Sequence, residues 1–280
     1  MGDARNMPQI AKARAFQRMH LGPSILVIAN AWDAGSARVF EHAGMRAIGT
    51  GSAGIAFSRG YPDNERIPRD VILTATREIV RAVDVPVTAD ILSGMGRTVE
   101  AVVATVQEVI AIGAVGINIE DGRDAGPHLE DIDRQVEIIR AVRTAVDASG
   151  VPIVVNARTD SYWLKLGDAN DRLRASIARG NRYREAGADC VFVPAVADRE
   201  TISTLVAQIS GPLNILTVPG CPPIGELEQL GVRRVSEGSG PMRATMMLTR
   251  RIAEDLLQTG TYARFHGDAI SYAEANKLFE

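Results

Sequence analysis

The sequence predicts a (β/α)8 TIM barrel with an extended C-terminal helical segment, and three observations carry that expectation. Eight short runs rich in Val and Ile recur along the chain, with helix-like stretches between most of them. The runs are nearly continuous in hydrophobicity, the mark of strands buried on both faces, as in parallel sheets. The length, 280 residues, suits one barrel of this kind, for which about 250 residues is typical. An open doubly wound sheet is the rival, but no Gly-rich dinucleotide fingerprint follows the first run.

The elements follow in order. A basic, helix-prone segment spans about residues 1–20, with Lys12, Arg14 and Arg18. It has no apolar signal core and reads as a cap or an oligomer-contacting helix, not as a targeting peptide. The strand candidates are Ile25–Asn30, Ala47–Ser52, Val85–Ile91, Val115–Asp121, Val151–Asp160, Cys190–Ala195, Leu213–Pro219 and Arg233–Gly238. Helices are expected over Arg69–Val83 after Pro68, Val99–Ile112 before a C-capping Gly113, Asp131–Ala148, Asp168–Ala186 and Asp198–Ile209. Short linkers argue for a single domain over residues 1–280, with residues 241–280 as helices that pack on a neighbouring subunit.

Composition narrows the function. Hydrophobic residues are 46% of the chain, enough for a large core, and a net charge of −3 gives no general attraction to nucleic acid or anionic membrane. No apolar run is long enough to span a bilayer. The two cysteines, Cys190 and Cys221, form neither a metal pair nor a disulfide framework, which fits a reducing cytoplasm.

In such a barrel the reactive face lies at the C-terminal ends of the strands. The second run ends in Thr50-Gly51-Ser52-Ala53-Gly54, the third in Asp90 and the fourth in Asn118-Ile119-Glu120-Asp121. The fifth ends in Asn156-Ala157-Arg158-Thr159-Asp160 and the eighth in Ser236-Glu237-Gly238-Ser239. Asp90 and Glu120 end neighbouring apolar strands, so their carboxylates repel unless a cation, a proton or Arg158 intervenes. A hard ion held by few carboxylates, with water and substrate, describes Mg²⁺, with Mn²⁺ as an alternative. The competing reading is a carboxylate–Arg158 pair that only braces the barrel. Ser52-Ala53-Gly54 could offer backbone N–H groups to a carboxylate or oxyanion, although, taken alone, the segment reads by default as a plain tight turn.

These segments resemble the isocitrate lyase/phosphoenolpyruvate mutase superfamily. Ala29-Asn30-Ala31-Trp32-Asp33-Ala34-Gly35-Ser36-Ala37 is similar to its "PNxWDAxSA" opening, Thr50 to Gly54 to its "TSSAG" loop and Gly60-Tyr61-Pro62-Asp63 to its "GYPD". Pro86-Val87-Thr88-Ala89-Asp90 with Gly94-Met95-Gly96 resembles "PVxADxDxGYG". Gly116 to Asp121 resembles "GxxIED", Asn156 to Asp160 resembles "ARTD" and Gly231 to Ser236 resembles the last strand. The likeness implies Mg²⁺, a 2-oxo acid or dicarboxylate substrate, and homodimers or homotetramers built through C-terminal helices. It implies that Asp90 and Glu120 hold the metal and that Asp63 joins their network. It gives Ser52, Ala53, Gly54, Asn118 and Arg158 to the substrate and sets Trp32 and Asp33 in the pocket wall.

Departures from the pattern bear on the reaction. Leu92 replaces the second Asp of "DxDxG" and Met95 the Tyr of "GYG". The Cys-bearing "KKCGH" segment of the isocitrate and methylisocitrate lyases is absent, since Gly96 runs into Arg97-Thr98-Val99-Glu100. The loop Gly122 to His128 is short beside the lid of phosphonopyruvate-type enzymes. The three lysines, Lys12, Lys165 and Lys277, end no strand, which argues against a Schiff base. A metal-dependent lyase or decarboxylase remains, in which Mg²⁺ polarises a 2-oxo acid and stabilises the resulting enolate. His128, Tyr61 or water would return the proton. His20, His42 and His266 fall in helical or tail segments and receive no role. Two alternatives stay open: a phosphonomutase or phosphonopyruvate hydrolase acting on a C–P bond, and a barrel that binds an oxyacid without turning it over.

Overall fold

The computed structural model describes residues 7–63, 66–122, 126 and 128–280. The chain opens with α1 (Met7–Leu21) and continues through β1 (Leu26–Ala31), α2 (Ala34–His42), β2 (Ile48–Thr50), α3 (Ser52–Ser58), α4 (Arg69–Ala82) and β3 (Val87–Asp90). Next come α5 (Val99–Ile112), β4 (Gly116–Glu120), α6 (Ile132–Ser149), β5 (Val154–Arg158), α7 (Ala169–Glu185) and β6 (Cys190–Val193). The chain closes with α8 (Arg199–Gln208), β7 (Leu213–Leu216), α9 (Ile224–Gln229), β8 (Arg234–Ser236), α10 (Gly240–Gln258), α11 (Ala263–Asp268) and α12 (Tyr272–Lys277). The eight strands pair in sequence order and β8 returns to β1, giving a closed barrel whose pairs are all parallel.

Local chemistry explains where elements start and stop. In α5, Val102, Val106, Val109 and Ile110 are buried at helical spacing, Thr98 Oγ1 accepts the Ala101 N–H, and Gly113 at φ 106° ends the helix. Asp168 caps α7 through a reciprocal box with Asp171. The strands carry Val, Ile and Ala with almost no exposed position, and each buried Ile or Val contributes on the order of 1.5–3 kcal/mol.

The N-terminal helix is a cap. Ala13, Phe16 and His20 form its buried face. A Cβ on Gly116, at the start of β4, would lie 2.8 Å from the Phe16 ring, so only glycine lets the helix seat there. Gln9 Nε2 adds hydrogen bonds to the carbonyls of Ile110 and Ala114. Thus α1 plugs the barrel end where strands begin and leaves the other end open. At the far end of the chain, α10 has no buried residue. None of the described helices is long and apolar enough to cross a membrane.

Candidate active site

A cavity of about 300 Å³ opens at the C-terminal ends of the strands, the small end of the range for ligand pockets. Asp63, Asp90, Glu120, Arg158 and Asp160 line it. Strand register places them: Asp90 on β3 pairs with Asn118 on β4, and Glu120 on β4 pairs with Arg158 on β5.

Arg158 is fixed from several sides. Its Nη1 meets Glu120 Oε2 at 2.8 Å and its Nε meets Asp160 Oδ1 at 2.6 Å. Its guanidinium carbon lies 5.5 Å from the centre of the Trp163 ring and 5.7 Å from that of Phe192. Burial alone would lower its pKa, but Asp160 and Glu120 outweigh it and raise the value. Among the described residues Nη2 has no hydrogen-bond partner, which leaves it for an anionic ligand. Asp160 is held in turn: its N–H donates to Asp121 Oδ1 at 2.8 Å, and Asp121 Oδ2 accepts from Tyr183 at 2.6 Å and Arg179 at 3.1 Å.

Asp90 is oriented by β2 and its own loop. Its Oδ2 accepts the Ser52 N–H at 3.1 Å and the Ser52 hydroxyl at 2.8 Å, and its Oδ1 accepts the Leu92 N–H at 3.3 Å. Leu92 sits in the left-handed region at φ 52°, which turns its carbonyl to the Glu120 N–H at 2.9 Å. This turn ties Asp90 to Glu120. The Leu92 side chain is buried with Ile55, Ile67 and Ile72 and also borders the cavity.

The donor set fits a hard cation. Burial, then the charge of Asp90, raises the pKa of Asp63. Burial raises that of Glu120 well above the usual carboxylate value, with Arg158 opposing and Asp160, Asp90 and Asp63 adding to it. Four carboxylates thus share Arg158, an excess of negative charge that a divalent ion would relieve. Among the described residues no group of three or more His, Cys, Asp or Glu is placed to hold a metal ion by itself. Mg²⁺ needs no such group, because water and substrate oxygens complete its octahedron.

Other expected residues lie elsewhere. Asp33 caps α2 through Ser36, and Trp32 packs edge-on against Phe40. Neither borders the cavity. Gly54 is also outside it: a Cβ there would lie 3.2 Å from Trp32 Cβ and 3.6 Å from Met242 Cβ on α10, so glycine serves packing against Trp32 and α10. Ser52, Ala53 and Asn118 do line the cavity, although the Ser52 N–H turns to Asp90. His128 is exposed and is not among the lining residues, and Tyr61 packs against the buried cluster that holds Ile55, Ile67, Ile72 and Leu92. Of the short loop expected over Gly122 to His128, positions 123–125 and 127 lie outside the described residues.

Asp160, Asn30, Glu237 and Arg243 also border the cavity; the first three stand in the polar strand ends or motifs of the sequence but received no role there, and Arg243 was not noted. Asn30 holds the β8 loop, its Oδ1 accepting the N–H groups of Glu237 and Gly238 at 3.1 and 2.8 Å. The signal for Asp160 was present, since it ends the same polar strand terminus as Arg158.

The family model for phosphoenolpyruvate phosphomutase matches residues 16–257. The chain belongs to the isocitrate lyase/phosphoenolpyruvate mutase superfamily. It is 33% identical over 264 residues to the uncharacterized protein Rv1998c of Mycobacterium tuberculosis, covering 92% of this chain and 97% of that one. It is 28% identical over 260 residues to the 2-methylisocitrate lyase of Halalkalibacterium halodurans, covering 89% and 83%. The crystal structure of 2,3-dimethylmalate lyase superposes with a TM-score of 0.83 at 26% identity, over 95% of this chain and 94% of that one. These lyases and mutases support an enzyme on the same barrel.

Proposed function

We propose that this superfamily member is a Mg²⁺-dependent lyase or decarboxylase acting on a small 2-oxo acid or dicarboxylate. The observation that carries the reading is Arg158 clamped by Glu120 and Asp160 beside the oriented Asp90 carboxylate. Asp90 and Glu120 would hold Mg²⁺, directly or through water, and the ion would supply a Lewis acid for the substrate's keto oxygen. Arg158 binds the substrate carboxylate through its remaining N–H groups. Phe192, Trp163, Leu164 and Leu216 line the same cavity and keep water from the reacting bond. The proton returns from water or from Asp63 at the cavity edge; His128 lacks that access. Two of the relatives named above are lyases of small branched carboxylic acids by name, 2-methylisocitrate lyase and 2,3-dimethylmalate lyase, which supports a lyase reading.

The assembly we infer is a homodimer or homotetramer. Met246, Met247, Leu256 and Leu257 of α10 and Phe279 near the C-terminus are exposed in the single chain, as an interface would require. The two free cysteines, one of them buried, suit the cytoplasm.

A substrate screen with Mg²⁺ tests the reaction. Oxaloacetate, 2-methylmalate-type acids, methylisocitrate, isocitrate and phosphonopyruvate are supplied, and pyruvate and phosphate are followed. Metal-dependent pyruvate without phosphate, lost in Asp90→Ala, is expected. Phosphate release from phosphonopyruvate would replace the reading with C–P chemistry. Binding with no turnover of any acid would leave a non-catalytic receptor.

A further inference from the structure

Below the cavity the barrel encloses a guanidinium with no ion-paired carboxylate among the described residues. Arg234 on β8 is fully buried. Its Nη2 crosses the lumen to donate to Asn118 Oδ1 on β4 at 3.1 Å. Its Nη1 lies 3.5 Å from His20 Nε2, and its guanidinium carbon is 5.9 Å from the centre of the Phe16 ring. His20 Nδ1 is 2.8 Å from the Phe16 carbonyl oxygen, so Nδ1 carries the proton and Nε2 accepts from Arg234.

Asn118 is fixed by this arrangement. Its Oδ1 also accepts Asn156 Nδ2 at 2.8 Å. A guanidinium has donors and no acceptor, so the oxygen of the Asn118 amide must face Arg234. With both neighbouring donors spent on Oδ1, the NH₂ group is left over, and the side chain lines the cavity. Asn118 precedes Glu120 by two positions on β4, so both side chains point to the same face, one layer apart.

We infer that Arg234 is a positioning residue: it locks the Asn118 amide so that its NH₂ donates to an oxygen of the bound oxyacid, while His20 of the plug helix steadies Arg234 from below. The ligand feature recognised is an anionic or carbonyl oxygen at the cavity floor, as in a compact planar dianion. Without Arg234 the Asn118 and Asn156 amides can flip together, since Asn156 Oδ1 has no partner among the described residues, and Asn118 then offers its oxygen to the anion. This inference rests on the functional reading above.

The test is calorimetric titration of oxalate into the Mg²⁺-loaded full chain. Arg234→Met and Asn118→Leu are each expected to weaken binding about 10- to 100-fold, the range for one hydrogen bond to a charged group. The double variant should bind no worse than the weaker single, because both remove the same donor. Asn118→Asp keeps acceptors for Arg234 and Asn156, so it should melt no lower than the parent yet lose oxalate at least as severely. Losses that multiply in the double variant, or Arg234→Met within twofold of the parent, would overturn the proposal. If Arg234→Met does not fold, Asn118→Asp decides, and oxalate binding within twofold of the parent overturns it. A parent protein that binds no oxyacid defeats the functional reading and this one with it, whereas a binder indifferent to these substitutions defeats only this one.

Discussion

Gly122 follows Glu120 and Asp121, and a Cβ there would come within 2.5 Å of Asp160 Oδ2. Gly122→Ala should therefore push Asp160 off Arg158. Oxalate affinity is expected to fall about tenfold or more, with about 1–3 kcal/mol lost in urea unfolding. Unchanged affinity would show that the Asp160–Arg158 contact is dispensable. Tyr183→Phe probes the support behind it: the buried Asp121 carboxylate loses its 2.6 Å donor, and destabilisation of about 1–3 kcal/mol is expected. The residues Asp90, Glu120 and Arg158 were legible because a charged side chain ending an apolar strand is conspicuous. Asp160 was harder, because its pairing with Arg158 depends on the turn after β5. Trp32 and Asp33 sit in a segment that resembles the family's opening, yet in space one packs and the other caps a helix.

Among the elements, α1 couples stability to pH. Burial first, and the Arg234 charge second, lower the pKa of His20 to about 3 from 6.5. The unfolded chain thus binds a proton that the folded chain refuses. The penalty is absent above pH 6.5 and grows as pH falls from there towards 3, reaching about 2 kcal/mol at pH 5. Urea unfolding at pH 7.5 and 5.0 should show that loss in the parent and a smaller one in His20→Gln; identical losses would contradict a neutral His20. The cap itself was visible in the sequence as a basic helix without a signal core. The role of His20 was not, because helical periodicity does not reveal that this face enters a barrel mouth. The eight strands were legible in place and order, and α5 to the residue, since continuous Val/Ile runs and glycine caps are local signals, but β5 and β7 are shorter by up to three residues at an end than the runs that contain them. The left-handed turn at Leu92 was not, since leucine rarely adopts that conformation.

For the whole molecule, eight apolar runs were enough to read the barrel, because closure needs only the right number of β/α repeats. What the sequence withheld was the route across the lumen from Arg234 to Asn118, a contact between residues 116 positions apart. The C-terminal helices carry the prediction about assembly: sedimentation should give a dimer or tetramer, and Leu256→Glu with Leu257→Glu should shift it towards monomer. A monomeric parent would leave those exposed side chains without that explanation. The most direct measurement of the central claim is oxalate binding by calorimetry with Mg²⁺, with EDTA, and in Asp90→Ala. Saturable binding that weakens about 100-fold or more, ~2.7 kcal/mol, when either the metal or Asp90 is removed is the expected result. Equal affinity in all three conditions would contradict a metal-assisted oxyacid site.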